Sequence, residues 1–243
     1  MLDWIEQKKN AEERAELRKL NKSLANTKVL KLIDAKGKDR NKCVLGIFEG
    51  MSALSAVRKF RDPQVFGAFP LKGKFLNVSE MTNSGVIQND EVVQLMASLG
   101  IKLGEEPGDL RYGKVYIYTD ADPDGDSIAG LLINFFNKYW PELFTQGRIF
   151  KVMTPLVVAK KGKEVKPFYS NEEYLAWESK TGAKGWEVEY KKGLAALEDV
   201  EYRDIIHSPV LVKIDNDKNY KTSLNDWFGS DSEPRKQKLL KLS

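Results

Sequence analysis

Glu49 and the run Asp120-Ala121-Asp122-Pro123-Asp124-Gly125 are the residues in this sequence best suited to chemistry. Each follows a short apolar segment: Val44-Leu45-Gly46-Ile47-Phe48 before Glu49, and Lys114-Val115-Tyr116-Ile117-Tyr118 before Thr119-Asp120. Such runs mark strands buried on both faces of a parallel sheet. Ligands of open parallel sheets bind outside the carboxyl ends of the strands. Four carboxylates converging there repel one another, and the cluster is costly unless a cation sits among them. Oxygen donors without His or Cys suit Mg²⁺, which takes one or two carboxylates together with phosphate oxygens and water. The implied chemistry is metal-assisted phosphoryl transfer. Two other readings compete. A calcium loop needs a bidentate Glu six residues beyond the glycine, where Leu131 stands. An acidic surface turn needs no second acid, whereas Glu49-Gly50 closes an earlier strand in the same way.

The remaining composition narrows the chemistry. A single cysteine, Cys43, excludes a disulfide framework and a multi-cysteine zinc site. A single histidine, His207, excludes His-built metal cages and argues against a Ser-His-Asp triad. No apolar run approaches the ~18–20 residues of a membrane helix, and the first twenty residues lack an apolar signal core. A cytoplasmic location is expected. The formal net charge is +4, and residues 1–42 carry a net +5 of it, with 12 Lys/Arg against 7 Asp/Glu. A basic arm ahead of a near-neutral body suits a polyanion, although charge alone favours a solvated helix face.

The elements that must position these acids follow from periodicity. A helix is predicted over 3–26, with Ala11, Ala15, Leu17, Leu20 and Leu24 near one face. That stripe is thin and calls for a partner surface. The polar stretch 36–41 breaks the pattern. Beyond it, strands at 44–48, 65–69 and 114–118 alternate with helices at 52–60, 89–99 (capped by Gly100) and 128–140, which implies an α/β fold with a parallel sheet. After Pro141 the texture becomes α+β: a strand over 148–160, a helix over 171–179 opened by a Ser170/Glu173 capping box, a strand over 186–191 and a helix over 201–207. The tail from Ser230 is polar and basic, frayed or partner-bound. The expected division is an arm over 1–40, a metal-binding domain over 41–147 and an extension over 148–243.

Several motifs together carry a family resemblance. Glu49-Gly50-Met51-Ser52-Ala53 resembles the Glu-Gly-Asp-Ser-Ala signature of type IIA DNA topoisomerases. Phe69-Pro70-Leu71-Lys72-Gly73-Lys74-Phe75-Leu76-Asn77-Val78 is similar to their Pro-Leu-Arg-Gly-Lys-x-Leu-Asn-Val segment, and Thr119–Gly125 to their Thr-Asp-x-Asp-x-Asp-Gly motif. Later landmarks are Leu131–Phe136, Trp140–Leu143, Thr154-Pro155-Leu156, Phe168-Tyr169-Ser170 and Tyr190-Lys191-Lys192-Gly193-Leu194, the last matching Tyr-Lys-Gly-Leu-Gly. Order and spacing agree from about residue 28 onward. The details resemble most closely the topoisomerases of T4-type bacteriophages, whose large subunit can be split between two genes. For a phage-encoded chain the compartment would be the host-cell cytoplasm.

The resemblance implies a Toprim domain, a Rossmann-like parallel sheet, with an N-terminal helical linker and a C-terminal α+β extension. It implies that Glu49, Asp120 and Asp122 are catalytic metal ligands, with Asp124 a ligand or an orienting residue, and that two Mg²⁺ ions serve each site. Lys72, Lys74, Asn77 and Lys192 are implied DNA-binding residues. The implied partners are double-stranded DNA, a tyrosine-bearing breakage-reunion subunit and an ATPase/transducer piece that binds ATP, in a two-fold symmetric hetero-oligomer without membrane. None of the nine tyrosines here is the implied nucleophile. Met51, Asp126-Ser127 and Ala195 depart from the family pattern, but none removes a ligand. Two alternatives remain: another Toprim enzyme (a primase or nuclease), or a non-catalytic DNA-binding scaffold. The first does not account for the Pro-Leu-Lys-Gly-Lys and Lys-Gly-Leu segments as well, and the second calls for a missing ligand, whereas all the candidate acids are present.

Overall fold

Residues 2–24 and 26–241 are described by the computed structural model. In chain order its strands are β1 (Val44–Phe48), β2 (Phe66–Pro70), β3 (Lys114–Tyr118), β4 (Ile149–Val152), β5 (Val157–Lys161), β6 (Glu164–Phe168), β7 (Glu187–Tyr190) and β8 (Leu211–Lys213). Its α-helices are α1 (Leu2–Leu24), α2 (Leu54–Phe60), α3 (Asn83–Val86), α4 (Asp90–Leu99), α5 (Pro123–Tyr139), α6 (Glu142–Thr145), α7 (Asn171–Thr181), α8 (Asp199–His207), α9 (Tyr220–Phe228) and α10 (Glu233–Leu240). The main sheet runs β2-β1-β3-β4-β8. The first four are parallel and β8 is antiparallel to β4, so the sheet is mixed at one edge. A second, antiparallel sheet runs β6-β5-β7.

The apolar runs become strands because both sheet faces are covered. Leu45, Ile47, Phe69 and Ile117 are fully buried with Leu95, Leu132, Phe135 and Trp140 from the helices. The Trp140 indole N–H satisfies itself on the carbonyls of Lys102 (3.2 Å) and Glu105 (3.1 Å). Trp177 and Trp186 meet edge to face beside the smaller sheet, as packing residues rather than a base-stacking platform. Cys43 is buried. Gly100 ends α4 with φ +74°, the left-handed cap expected of it.

Four expectations need correction. Helix α5 begins at Pro123, five residues before the expected Ile128. Asp122 caps it and Pro123 takes the first helical position, where its missing N–H costs nothing. The strand expected over 148–160 is two strands, β4 and β5, which belong to different sheets. Ser170 does cap α7, accepting the Glu173 N–H at 3.1 Å, but the Glu173 carboxylate reaches one residue further back, to the Tyr169 N–H. The tail from Ser230 is not frayed over its described part: it forms α10, held to α9 by Arg235, which donates to the carbonyls of Trp227 and Gly229.

The N-terminal arm joins the body more closely than its polar break suggested. Along α1, whose expected end at 26 passes through Ala25 outside the described residues, Ala11 and Ala15 are exposed, Leu17 and Leu20 are half-buried and Leu24 is buried. Ile33 then pairs with Ala68 of β2, and Lys36 and Gly37 donate to the carbonyls of Pro63 and Gln64. Asp34 accepts from the Tyr112 hydroxyl (2.5 Å), from Arg40 (3.1 Å) and from Arg111. Partial burial pushes its carboxyl up, but the Tyr112 hydrogen bond and the two guanidinium groups outweigh this and hold it below the ordinary carboxylate range. A lowered carboxyl stabilises the fold above its unfolded pKa and loses that contribution as pH falls through the folded value. Asp34→Asn is therefore expected to cost about 1 kcal/mol at pH 7, discounted for its partial exposure. The gap from the parent in urea melts should close below about pH 4. Among the described residues no helix is long and apolar enough to cross a membrane.

Candidate functional site

Strands β1 and β3 are adjacent and in register, with Phe48 opposite Tyr118, so they end at one level. The Phe48 and Tyr118 rings stack at 4.3 Å and fix that level from one face. The chain after β1 delivers Glu49 and the chain after β3 delivers Asp120. The Asp120 N–H donates to Glu49 Oε2 (3.0 Å), and the Glu49 N–H donates to the Tyr118 carbonyl (3.0 Å). Asp122 Oδ1 accepts the Gly125 N–H (2.7 Å) at the start of α5. Asp120 Oδ1 accepts the Leu194 N–H (2.7 Å), which arrives from the C-terminal part of the chain. Each of the three acids thus has one oxygen oriented by a backbone N–H. The other oxygen has no hydrogen-bond partner among the described residues. Asp124 is exposed, 3.9 Å from Lys74 Nζ.

The electrostatics match that crowding. Burial pushes the Glu49 carboxyl above its ordinary range, and the charges of Asp120, Asp122 and Asp124 push it further, against the Asp120 N–H that pulls it down. A divalent cation fits this donor set in kind: hard oxygens, excess negative charge, and one free oxygen on each acid. Among the described residues no three acids stand close enough to form a ready-made metal cage, so the fit is one of chemistry and not of a closed geometry. A raised carboxyl favours the fold while protonated, and that advantage is lost as pH rises through the folded pKa. Glu49→Gln is therefore expected to raise the melting temperature of the metal-free chain at pH 7. The gain should shrink as pH falls into the range where Glu49 itself protonates. A melting temperature unchanged at pH 7 would mean the acids do not burden the fold.

The loop after β2 carries Lys72 and Lys74 into solvent on either side of Gly73, whose φ of +126° suits glycine. Its first lysine is anchored: the Lys72 N–H donates to Glu91 Oε1 (3.1 Å), which also takes Lys31 Nζ (2.5 Å). Lys31 is almost wholly buried, its ammonium 4.1 Å from the Phe69 ring centre. Asn77 is exposed, its side chain donating to the Phe228 carbonyl (2.8 Å) and accepting from the Ser79 N–H (3.2 Å). Its side chain ties this loop to α9. Lys192 is exposed beside Gly193. Of the departures from the family pattern, Asp126 is paired with Lys151, while Met51 and Ala195 are exposed.

Sequence reading missed three supports. Leu194 and Gly193 touch Asp120 across 74 positions of chain. Lys31 and Glu91 steady the lysine loop. Tyr202 is buried near the acids, its hydroxyl pushed up to about 12 by burial and then by the Asp120 charge. The Lys-Gly-Leu motif marks Gly193 and Leu194 as notable, but no local pattern announces any of these contacts, because each joins separate elements.

A mainly parallel sheet thus presents acids at the carboxyl ends of two adjacent strands, with a third capping the following helix. Residues 44–153 match the Toprim domain family, and residues 152–241 match the C-terminal associated domain of TOPRIM. The chain is thus a Toprim domain followed by its C-terminal associated domain, and it is similar to type II DNA topoisomerases. It is 38% identical over 220 residues to DNA topoisomerase 2 of Arabidopsis thaliana, covering 83% of this chain and 15% of that protein. It is 35% identical over 226 residues to DNA topoisomerase 2-beta of Homo sapiens, covering 83% and 13%. The solved DNA-binding, cleavage and re-ligation domain of Plasmodium falciparum topoisomerase II superposes with a TM-score of 0.77 at 30% identity, over 88% of this chain and 31% of that one. The chain thus spans only a small part of the length of these relatives.

Proposed function

We propose that this chain is the Toprim part of an ATP-dependent type II DNA topoisomerase, supplying the Mg²⁺ site for double-strand cleavage and religation by a tyrosine on a partner. The observation that carries this reading is the shared edge, where Glu49 and Asp120 leave neighbouring strands and the Asp120 N–H orients Glu49. Toprim domains of type II topoisomerases use Mg²⁺ in general. Here Glu49, Asp120 and Asp122 would hold it, as two ions, with Asp124 at the rim. When bound, the metal supplies charge stabilisation at the phosphoryl and leaving oxygens. Lys72, Lys74 and Lys192 meet DNA phosphates, and Asn77 keeps the lysine loop against α9. The partner tyrosine attacks a phosphate in line, leaving a 5′-phosphotyrosyl link and a free 3′-hydroxyl. Resealing is the reverse transesterification, so bond energy is retained. Residues 1–40 serve as a basic arm toward an ATPase/transducer piece, DNA or both, and 148–243 as the extension toward DNA and partner. The complete enzyme is a two-fold symmetric assembly.

The test is plasmid cleavage and relaxation by this chain alone, then with a tyrosine-bearing subunit, then with an ATPase piece and ATP, with and without Mg²⁺. Cleavage only in the mixture and only with metal is the expected result. Nicking or priming by the chain alone would replace this reading with another Toprim enzyme. Within the assembled complex, Lys72→Ala is expected to weaken DNA binding and lower the slope of log affinity against log salt by about one. An unchanged slope would return Lys72 to a solvated loop.

A further inference from the structure

The Lys191–Leu194 segment lies outside the sheet that carries the acids, yet it contacts Asp120 directly. Lys191 is nearly fully buried and anchors the segment at one end. Its ammonium meets Glu189 (2.5 Å) and Glu201 (3.1 Å), and its N–H donates to the Leu156 carbonyl (2.8 Å). Gly193 then takes φ +143°, and a Cβ built on it would fall within the Asp120 carboxylate, 2.7 Å from Oδ1 and nearer still to the other two atoms of the group. The backbone therefore approaches Asp120 as closely as only glycine permits. The next residue, Leu194, donates its N–H to Oδ1 at 2.7 Å, and its side chain is buried beside Phe48 and Tyr118 in one cluster. One carboxylate is thus gripped by a segment pinned at both ends, on Glu201 of α8 and on the core under β1 and β3.

We infer that this segment, through the Leu194 N–H and the bare Cα of Gly193, is the positioning element that sets the orientation of Asp120 and with it the affinity of the acidic edge for a divalent cation. The inference rests on the metal reading given under Proposed function. A carboxylate with one oxygen fixed on an N–H presents the other in a defined direction, and contacts that orient a metal ligand govern affinity. The C-terminal domain thereby acts on the metal edge from outside the sheet, and a displacement of α8 or β7 would be felt at Asp120. Lys191 and Gly193–Leu194 are positioning residues, since none of them supplies a side-chain donor to the metal.

The probe is Mn²⁺ binding to the full chain, read by the loss of free-ion electron paramagnetic resonance signal, with thermal unfolding measured in parallel. Leu194→Pro removes the N–H at the first position of a short 3₁₀ turn, where proline's fixed φ is tolerated. Leu194→Ala keeps the N–H and gives up comparable packing. Leu194→Pro is expected to weaken Mn²⁺ binding about ten- to hundredfold, and Leu194→Ala to leave it within about twofold of the parent at a similar melting temperature. Gly193→Ala, whose new methyl displaces the carboxylate, should weaken binding at least as much as Leu194→Pro. Equal losses for Pro and Ala at 194 would assign the effect to packing and overturn the inference. So would full binding by Gly193→Ala. Asp120→Ala calibrates the series: if it binds Mn²⁺ like the parent, the metal reading itself is wrong. If it loses binding while Leu194→Pro retains it, only the positioning role fails.

Discussion

Asp120→Ala, in the complex assembled with a tyrosine-bearing partner and DNA, is expected to lower Mg²⁺-dependent cleavage by about 10²–10³-fold or more, the scale of removing one group that stabilises transition-state charge. The size follows from its place in the network. Asp120 is the only acid of the cluster whose backbone and side chain both serve the site: its N–H orients Glu49 and its carboxylate is held by Leu194. Alanine removes the carboxylate and keeps the N–H, so Glu49 stays in place and the loss is of one donor rather than of the edge. The fold should survive, because the substitution removes a charge that pushes the Glu49 carboxyl up. A melting temperature equal to or above the parent's, with cleavage lost, is the expected pair of results. Asp124→Ala is the comparison. Its side chain is largely in solvent, with Lys74 at 3.9 Å as its nearest ionic partner, so its loss should be much smaller. Undiminished cleavage by Asp120→Ala would remove Asp120 from the metal site, and equal losses at both positions would mean that net charge, not ligation, is what matters.

How much of this was legible in the sequence depends on how local the cause is. β1, β2 and β3 were readable because burial on both faces leaves uninterrupted apolar runs, and Glu49 and Asp120 were placed at their ends by that alone. β8 was not readable: three residues long, it pairs with β4 through backbone groups and exposes Val212 and Lys213. β6, Glu-Val-Lys-Pro-Phe, is mostly solvent-facing and has the composition of a loop. The start of α5 was misplaced because Asp-Pro-Asp-Gly has the composition of a turn. Its residues are instead a cap, an N1 proline and a glycine forced by packing. The bond from Asn77 to the Phe228 carbonyl and the grip of Leu194 on Asp120 are tertiary, and no window of sequence contains both partners. Motif spacing could say that the Lys-Gly-Leu segment matters. Only the packing of α8 against the sheet and the seating of Leu194 in the same cluster say that the segment's backbone, rather than its lysine alone, reaches the acids.

Gly125→Ala is expected to have the second large effect, on stability and activity together. A Cβ on Gly125 would lie 2.9 Å from both the Asp120 nitrogen and its carbonyl carbon, and nearer still to the carbonyl oxygen. These are backbone atoms flanked by β3, so no side chain can swing aside. Either the first turn of α5 withdraws or the Asp120 backbone does. Withdrawal of the helix breaks the Gly125 N–H bond to Asp122, a cap worth about 0.5–2 kcal/mol. Overpacking adds about 1–3 kcal/mol. Withdrawal of Asp120 carries off the N–H that orients Glu49. Both routes spoil the edge, so cleavage should fall with stability, and the urea midpoint should drop as well. Gly108→Ala tests whether any added methyl would do the same: a Cβ there meets nothing within 4 Å, so its stability should stay within about 0.5 kcal/mol of the parent. If Gly125→Ala instead kept both its urea midpoint and its cleavage, the close approach of α5 to Asp120 would not be the contact that holds the acids at the end of β3.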